Sequence, residues 1–241
     1  MKQVYNNLLQ AISDNRKLLA VLIDPDKFRI RHTGSFIEKV NDSIATHIFI
    51  GGSIVEKGVT EKLVLEIKNH TKLPVVLFPG DENQITNKAD AILFLSLISG
   101  RNPDYLIGKQ VESVSKIKNS SLEVISTGYL LIESGKETAV EKVTNTKPML
   151  RNNIDLICNT VKTGELLGMK LIYLEAGSGA KQPLNHEIIS SVKKELKIPL
   201  IVGGGIKSKF ELENAYNSGA DLVVIGTAFE NDESFFNELK N

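Results

Sequence analysis

The order of apolar segments predicts an α/β protein folded as one eight-stranded βα barrel. Three observations support this: eight short runs rich in Val, Ile and Leu, segments of helical periodicity between them, and glycine or polar residues gathered at the ends of the runs. The runs are KLLAVLID (17–24), HIFIGG (47–52), PVVLFPG (74–80), AILFLSL (91–97), LEVISTGYLLI (122–132), LIYLEAG (171–177), PLIVGGG (199–205) and LVVIGT (222–227). Each is too short for a helix and nearly continuous in apolar residues, as parallel strands covered on both faces must be. Between them, 102–120 places Tyr105, Leu106, Ile107, Val111, Val114 and Ile117 at helical spacing, and 186–197 does so with Ile188, Ile189, Val192 and Leu196. A doubly wound open sheet has the same βα rhythm. Eight strands in 241 residues, with no dinucleotide fingerprint after the first, favour closure into a TIM barrel, a fold that spans about 200–250 residues as one domain. Residues 1–241 are therefore expected to form a single domain.

One connection breaks the rhythm. Between Gly80 and Ala91 lie only DENQITNKAD, too few residues for a turn, a full covering helix and a return. The helix after strand three is expected to be missing or much reduced, leaving barrel wall exposed as an apolar groove.

Composition excludes several classes. Lys plus Arg equals Asp plus Glu at 29 each, and no basic run supplies a local field, so nucleic acid is not an expected partner. The single Cys158 cannot form an internal disulfide and no CxxC pair exists, which suits a reducing, cytoplasmic setting and a packing role for this thiol. The N-terminal MKQVYNNLLQAISDNRK lacks a signal-peptide core, and no window approaches the roughly 18 apolar residues of a spanning helix. A soluble protein without an integral membrane segment is expected, with transient membrane contact through the groove if the substrate is lipid-like. His32, His47, His70 and His186 are scattered without metal spacing and read as structural or surface residues. No GxSxG, HExxH or GxxxxGK[ST] arrangement occurs.

Barrel enzymes work at the carboxyl ends of their strands and often hold phosphate with the loops after strands seven and eight. Gly203, Gly204 and Gly205 lie between strand seven and a helix, so bare N–H groups and a helix N-terminus can face an anion; Gly226 and Thr227 after strand eight would close this cradle. The competing reading is that these glycines only turn the chain. Strand six ends in YLEAGSGA, where Glu175 suits a general base or a hydroxyl-orienting group beside Tyr173, Gly177, Ser178 and Gly179. Its competing reading is an inward Glu paired with a Lys. Strand one ends in LIDPDKF; Asp24 suits Mg²⁺, Ser53 after strand two could add a second oxygen, and Asp26 reads as a cap or exposed charge.

The segments LIDPDK (22–27), FIGGS (49–53), SLISGRNPDYLIG (96–108), YLEAGSGA (173–180), VGGGI (202–206) and IGTAFE (225–230), in this order and spacing, resemble the geranylgeranylglyceryl phosphate synthase family over essentially the whole chain. The resemblance implies a modified TIM barrel lacking its third helix. It also implies Mg²⁺-dependent transfer of a prenyl group from an isoprenoid diphosphate to the primary hydroxyl of sn-glycerol-1-phosphate, releasing diphosphate. By motif, Asp24 and Ser53 would bind Mg²⁺. Tyr173, Leu174, Glu175, Ala176, Gly177, Ser178, Gly179, Gly204, Gly205, Gly226 and Thr227 would hold glycerol phosphate, with Glu175 catalytic. The Arg101-Asn102-Pro103 tripeptide resembles the branch using geranylgeranyl diphosphate, and Tyr105 stands where other members often have Trp. A homo-oligomer is expected, since barrels of this family commonly associate. Two other readings stay open: a sugar-phosphate isomerase or lyase, needing a second acid/base residue facing Glu175 and a polar pocket, and a non-catalytic phosphate-binding barrel, needing only the cradle.

Overall fold

Strand closure is complete in the computed structural model, which describes residues 3–240. Strands β1 (Leu18–Ile23), β2 (His47–Ile50), β3 (Val75–Leu77), β4 (Ala91–Leu97), β5 (Glu123–Leu131), β6 (Leu171–Glu175), β7 (Leu200–Gly203) and β8 (Leu222–Ile225) pair in sequence order. The barrel shuts where Leu18 to Val21 run parallel to Leu222 to Ile225. Every strand falls inside the apolar run that predicts it.

Because side chains alternate along a strand, each run feeds two cores. Leu18, Phe49, Val76, Leu93, Ile201 and Val224 fill the barrel interior, while Leu19, Ile48, Val75, Ile172, Leu200 and Val223 pack outward against the helices. The helices are α1 (Val4–Ser13), α2 (Thr33–Asn41), α3 (Val59–His70), α4 (Lys109–Ile117), α5 (Ala139–Thr144), α6 (Ile154–Leu166), α7 (His186–Glu195), α8 (Lys209–Asn217) and α9 (Thr227–Asn231). Helix α1, to which the apolar pattern assigns no role, buries Val4, Leu8 and Ala11 in the interior core and so plugs the amino-terminal end of the barrel. The Glu123 carboxylate accepts hydrogen bonds from the Val4 and Tyr5 amides at 2.5 and 3.2 Å, using two donors that the first turn of a helix cannot satisfy itself. The polar mouth is therefore left at the carboxyl end.

The connection after β3 contains one 3₁₀ turn, Glu82–Gln84, and no covering helix. The middle of β4, Phe94 to Ser96, is only half-buried as a result. The segment predicted as one helix over 102–120 is divided: a π-helical turn, Asp104–Gly108, precedes α4. Such turns change the direction in which a side chain leaves a helix, and here the turn carries Tyr105. Among the described residues no helix is long and apolar enough to cross a membrane. His47 is buried with its pKa lowered to about 4 by desolvation, and its Nδ1 lies 2.8 Å from Thr46 Oγ1, as a packed structural histidine should. Cys158 is half-buried and burial raises its thiol pKa, consistent with packing.

Candidate active site

A cavity of about 490 Å³ opens at the carboxyl ends of the strands and brings together residues from all the loops singled out by sequence. Asp24, Ser53, Tyr173, Glu175, Ser178, Gly179, Gly204, Gly205, Gly226 and Thr227 all line it. Leu174 and Ala176 do not: the alternation of β6 sends both into the outer core against the helices, which corrects their expected part in binding. Gly177 also stays off the cavity surface, and its amide instead donates to Glu175 Oε1 at 2.6 Å.

Glu175 ends β6 with only 6% of its surface exposed, and no Lys or Arg pairs with it among the described residues. The reading as an internally salt-bridged Glu therefore falls. Burial pushes its carboxyl up to about 7, against the smaller opposing effects of the Gly177 amide and the neighbouring Tyr173 hydroxyl. That hydroxyl is fully buried, and although it lies beside the carboxyl it makes no hydrogen bond of good geometry among the described residues. It is a buried polar group beside Glu175 beneath the cavity. Phe78 stacks on the Tyr173 ring at a centroid distance of 5.0 Å, and Tyr129 packs against both at 5.8 and 5.4 Å, fixing the floor as a rigid aromatic cluster.

The cradle beside Glu175 is built from backbone. Gly204 and Gly205 have φ of +86° and +76°, a conformation that L side chains rarely adopt. A Cβ on Gly204 would also stand 2.4 Å from Glu175 Oε1, so this glycine lets the carboxyl approach the loop. The helix N-terminus expected directly after the three glycines is displaced. Helix α8 begins at Lys209 and is capped by the Ser208 side chain, away from the cavity. The amides at the mouth belong instead to α9, whose first internal donors are Phe229 and Glu230 to Gly226 O, leaving those of Thr227 and Ala228 without an acceptor in the helix. Ser178 Oγ and Thr227 Oγ1 lie 3.1 Å apart and join the loops after β6 and β8.

Across the mouth the chemistry is ionic. Asp24 Oδ1 accepts the Asp26 amide at 3.1 Å, and Asp24 Oδ2 pairs with Lys27 Nζ at 3.0 Å. Lys27 Nζ also lies 3.9 Å from Glu230, whose carboxyl is raised by burial, lowered by Lys27 and raised again by Asp24. Asp26 is exposed, as expected. A Cβ on Gly52 would sit 2.4 Å from Asp24 Oδ1, so this glycine lets the β2 loop lie close to the carboxylate, with Ser53 next in the chain and also lining the cavity. Lys27 and Glu230 were not assigned roles from sequence. Both lie within quoted segments, LIDPDK and IGTAFE, three residues beyond Asp24 and Thr227.

Away from these charges the cavity runs along β4 where the covering helix is lacking. Ile85, Phe94, Leu95, Val140 and Val143 line it, and Tyr105 closes part of it with its hydroxyl donating to Val143 O at 3.1 Å.

A closed βα barrel with a buried carboxyl at its mouth, a glycine-built cradle on one side and an apolar trough on the other defines a barrel enzyme for a ligand that is anionic at one end and greasy at the other. The chain belongs to the PcrB family, whose profile matches residues 11–241. It is 57% identical to the geranylgeranylglyceryl phosphate synthase of Flavobacterium johnsoniae over 97% of this chain and 96% of that one. It is 41% identical to the enzyme of the same name from Thermococcus gammatolerans, over 89% of this chain and 84% of the other. Among solved structures, the (S)-3-O-geranylgeranylglyceryl phosphate synthase of Thermoplasma acidophilum, in complex with its substrate sn-glycerol-1-phosphate, superposes with a TM-score of 0.92 at 29% identity, covering 99% of this chain and 96% of that one.

Proposed function

We infer that this chain is a prenyltransferase that joins geranylgeranyl diphosphate to the primary hydroxyl of sn-glycerol-1-phosphate, forming an ether and releasing diphosphate. The observation that carries the reading is the placement of Glu175 between the glycine cradle and the apolar trough. The cradle formed by Gly204, Gly205, Gly226 and Thr227 would take the phosphate through backbone amides. With the phosphate there, the primary hydroxyl reaches Glu175, which takes its proton as the oxygen attacks the allylic carbon and the carbon–oxygen bond to diphosphate breaks. A carboxyl poised near pH 7 is suited to that proton transfer.

Asp24 and Ser53 would hold Mg²⁺ together with oxygens of the leaving diphosphate. One carboxylate and one hydroxyl fit a cation that keeps several waters and is completed by substrate phosphate, not an all-protein cage; among the described residues no three His, Cys, Asp or Glu side chains converge. When bound, the ion neutralises charge developing on the leaving group. The twenty-carbon tail would lie in the trough along β4, and its apolar lining argues against a sugar-phosphate isomerase, which would need polar groups there. A cytoplasmic setting and self-association belong to the same proposal; sedimentation of the purified chain reads the second.

The test is turnover of labelled sn-glycerol-1-phosphate with geranylgeranyl, farnesyl and heptaprenyl diphosphates, each with and without Mg²⁺. Ether product, greatest with the twenty-carbon donor and lost on chelation, is expected. No product with any donor would leave only a phosphate-binding barrel.

A further inference from the structure

The short connection after β3 does more than omit a helix. Its 3₁₀ turn carries Gln84, a residue only 1% exposed although it lies in a loop. The Gln84 amide grips one residue of the neighbouring β2 loop from both sides: Gly52 N–H donates to Gln84 Oε1 at 3.2 Å, and Gln84 Nε2 donates to Gly52 O at 2.7 Å. Asn83 adds a third bond, donating from Nδ2 to Val55 O at 3.0 Å. A covering helix would offer the β2 loop mainly apolar side chains; this strap offers it three hydrogen bonds. Gly52 is the residue pressed against Asp24 Oδ1, and Ser53 follows it directly. On its other face Gly52 O meets Gly80, where a Cβ would come within 2.4 Å. Gly52, which precedes Ser53, is thus held by Gln84 through its own N–H and C=O and lies close against the Asp24 carboxylate. Gln84 itself does not reach the cavity.

We propose that Gln84 is a positioning residue that holds the Gly52–Ser53 peptide against Asp24 and so sets the geometry of the diphosphate end of the site. The proposal rests on the prenyl-transfer reading above. It separates the two ends of the site: loss of the Gln84 grip should loosen the Asp24 and Ser53 side while leaving the glycine cradle, built from β6, β7 and β8, as it is. A merely structural amide would give the opposite, a general loosening felt equally everywhere.

The test compares wild type with Gln84→Met, which keeps the length and loses both bonds, and Gln84→Glu, which keeps an acceptor for the Gly52 amide. The readouts are calorimetric affinities for geranylgeranyl diphosphate with Mg²⁺ and for sn-glycerol-1-phosphate alone, the half-saturating Mg²⁺ concentration in turnover, and the melting temperature. Gln84→Met is expected to weaken the prenyl diphosphate and raise the half-saturating Mg²⁺ by at least about fivefold, the effect of losing buried hydrogen bonds. Glycerol phosphate affinity should stay within about twofold of wild type. Gln84→Glu should shift the same quantities less and serves alone if Gln84→Met does not fold. Prenyl diphosphate affinity and Mg²⁺ dependence unchanged in both variants, or equal losses for both ligands, would overturn the proposal. Wild type that makes no ether product would instead sink the functional reading itself, so the two failures are distinguishable.

Discussion

On the side of the cavity formed by β6, β7 and β8, backbone dominates: two consecutive glycines in left-handed conformation, the first amides of α9 without an acceptor in the helix, and the Ser178 and Thr227 hydroxyl pair, with the buried Glu175 carboxyl beside them. On the side formed by β1 to β4 side chains dominate: Asp24 pairs with Lys27, which also reaches across to Glu230 of α9, and beyond them lies an apolar trough left by a missing helix. The first side has its shape fixed by chain conformation. The second is set by side-chain charge, and under the proposed function it would take an anion with a cation between. Under the proposed function, the contrast would let two phosphate-bearing substrates share one barrel mouth, each end recognised by a different physical means.

The sharpest way to break this division is at Gly204. Gly204→Val would force a β-branched residue into φ +86° and place Cβ 2.4 Å from Glu175 Oε1 and 2.7 Å from the Gly177 amide nitrogen. It is expected to abolish sn-glycerol-1-phosphate binding by calorimetry and to displace Glu175 as well, so turnover falls below detection. Retained affinity would show that phosphate sits elsewhere.

Glu175→Gln should come next, lowering kcat by about 100- to 10,000-fold, the range for loss of a general base, with glycerol phosphate affinity little changed. Wild-type kcat should rise with pH through about 7 and level off above it, because the base works ionised; the residual rate of the variant should lack that rise. The stability effect has the opposite sign. A carboxyl raised from 4.5 to about 7 by burial favours the fold fully below 4.5 and loses that contribution as pH climbs through 7. Gln at this position should therefore melt higher than wild type at pH 8, by as much as about 3 kcal/mol in stability. A variant melting lower at pH 8 would mean that the ionised carboxylate is compensated within the fold, contrary to this account.

On the ionic side, Asp24→Asn should reduce turnover by about 10- to 1,000-fold and blunt the Mg²⁺ dependence, as removal of a cation ligand does. Its pair with Lys27 is largely solvent-exposed on the lysine side and worth little, so the melting temperature should hardly move. Full activity without Asp24 would refute the metal assignment. Smallest is Ser53→Ala, expected to cost about tenfold in affinity for prenyl diphosphate and nothing for glycerol phosphate, the size of one hydrogen bond to a charged group.

The same contrast explains what was legible in the sequence. Strands could be read almost residue by residue, because the apolar runs are short and most end at Gly, Asp or Ser. The glycine cradle was legible because Gly204 has few reasons to exist other than its φ. Glu175 stood out as a carboxylate at the end of an otherwise apolar strand. Leu174 and Ala176 were carried along by a contiguous motif, whereas strand alternation turns them outward. The position of the helix N-terminus was missed because Ser208, four residues beyond Gly204, delays α8 by capping it. Gln84 was invisible for a different reason. Its importance depends on which loop lies across from it, and no periodicity reports that.

The division between the two sides is tested most directly by titrating the protein calorimetrically with sn-glycerol-1-phosphate alone, first in chelator and then in Mg²⁺. Saturable one-site binding of equal affinity in both conditions is the expected result, since the cradle is backbone and lies apart from Asp24. Binding that appears only with Mg²⁺ would contradict it and move the glycerol phosphate to the ionic side.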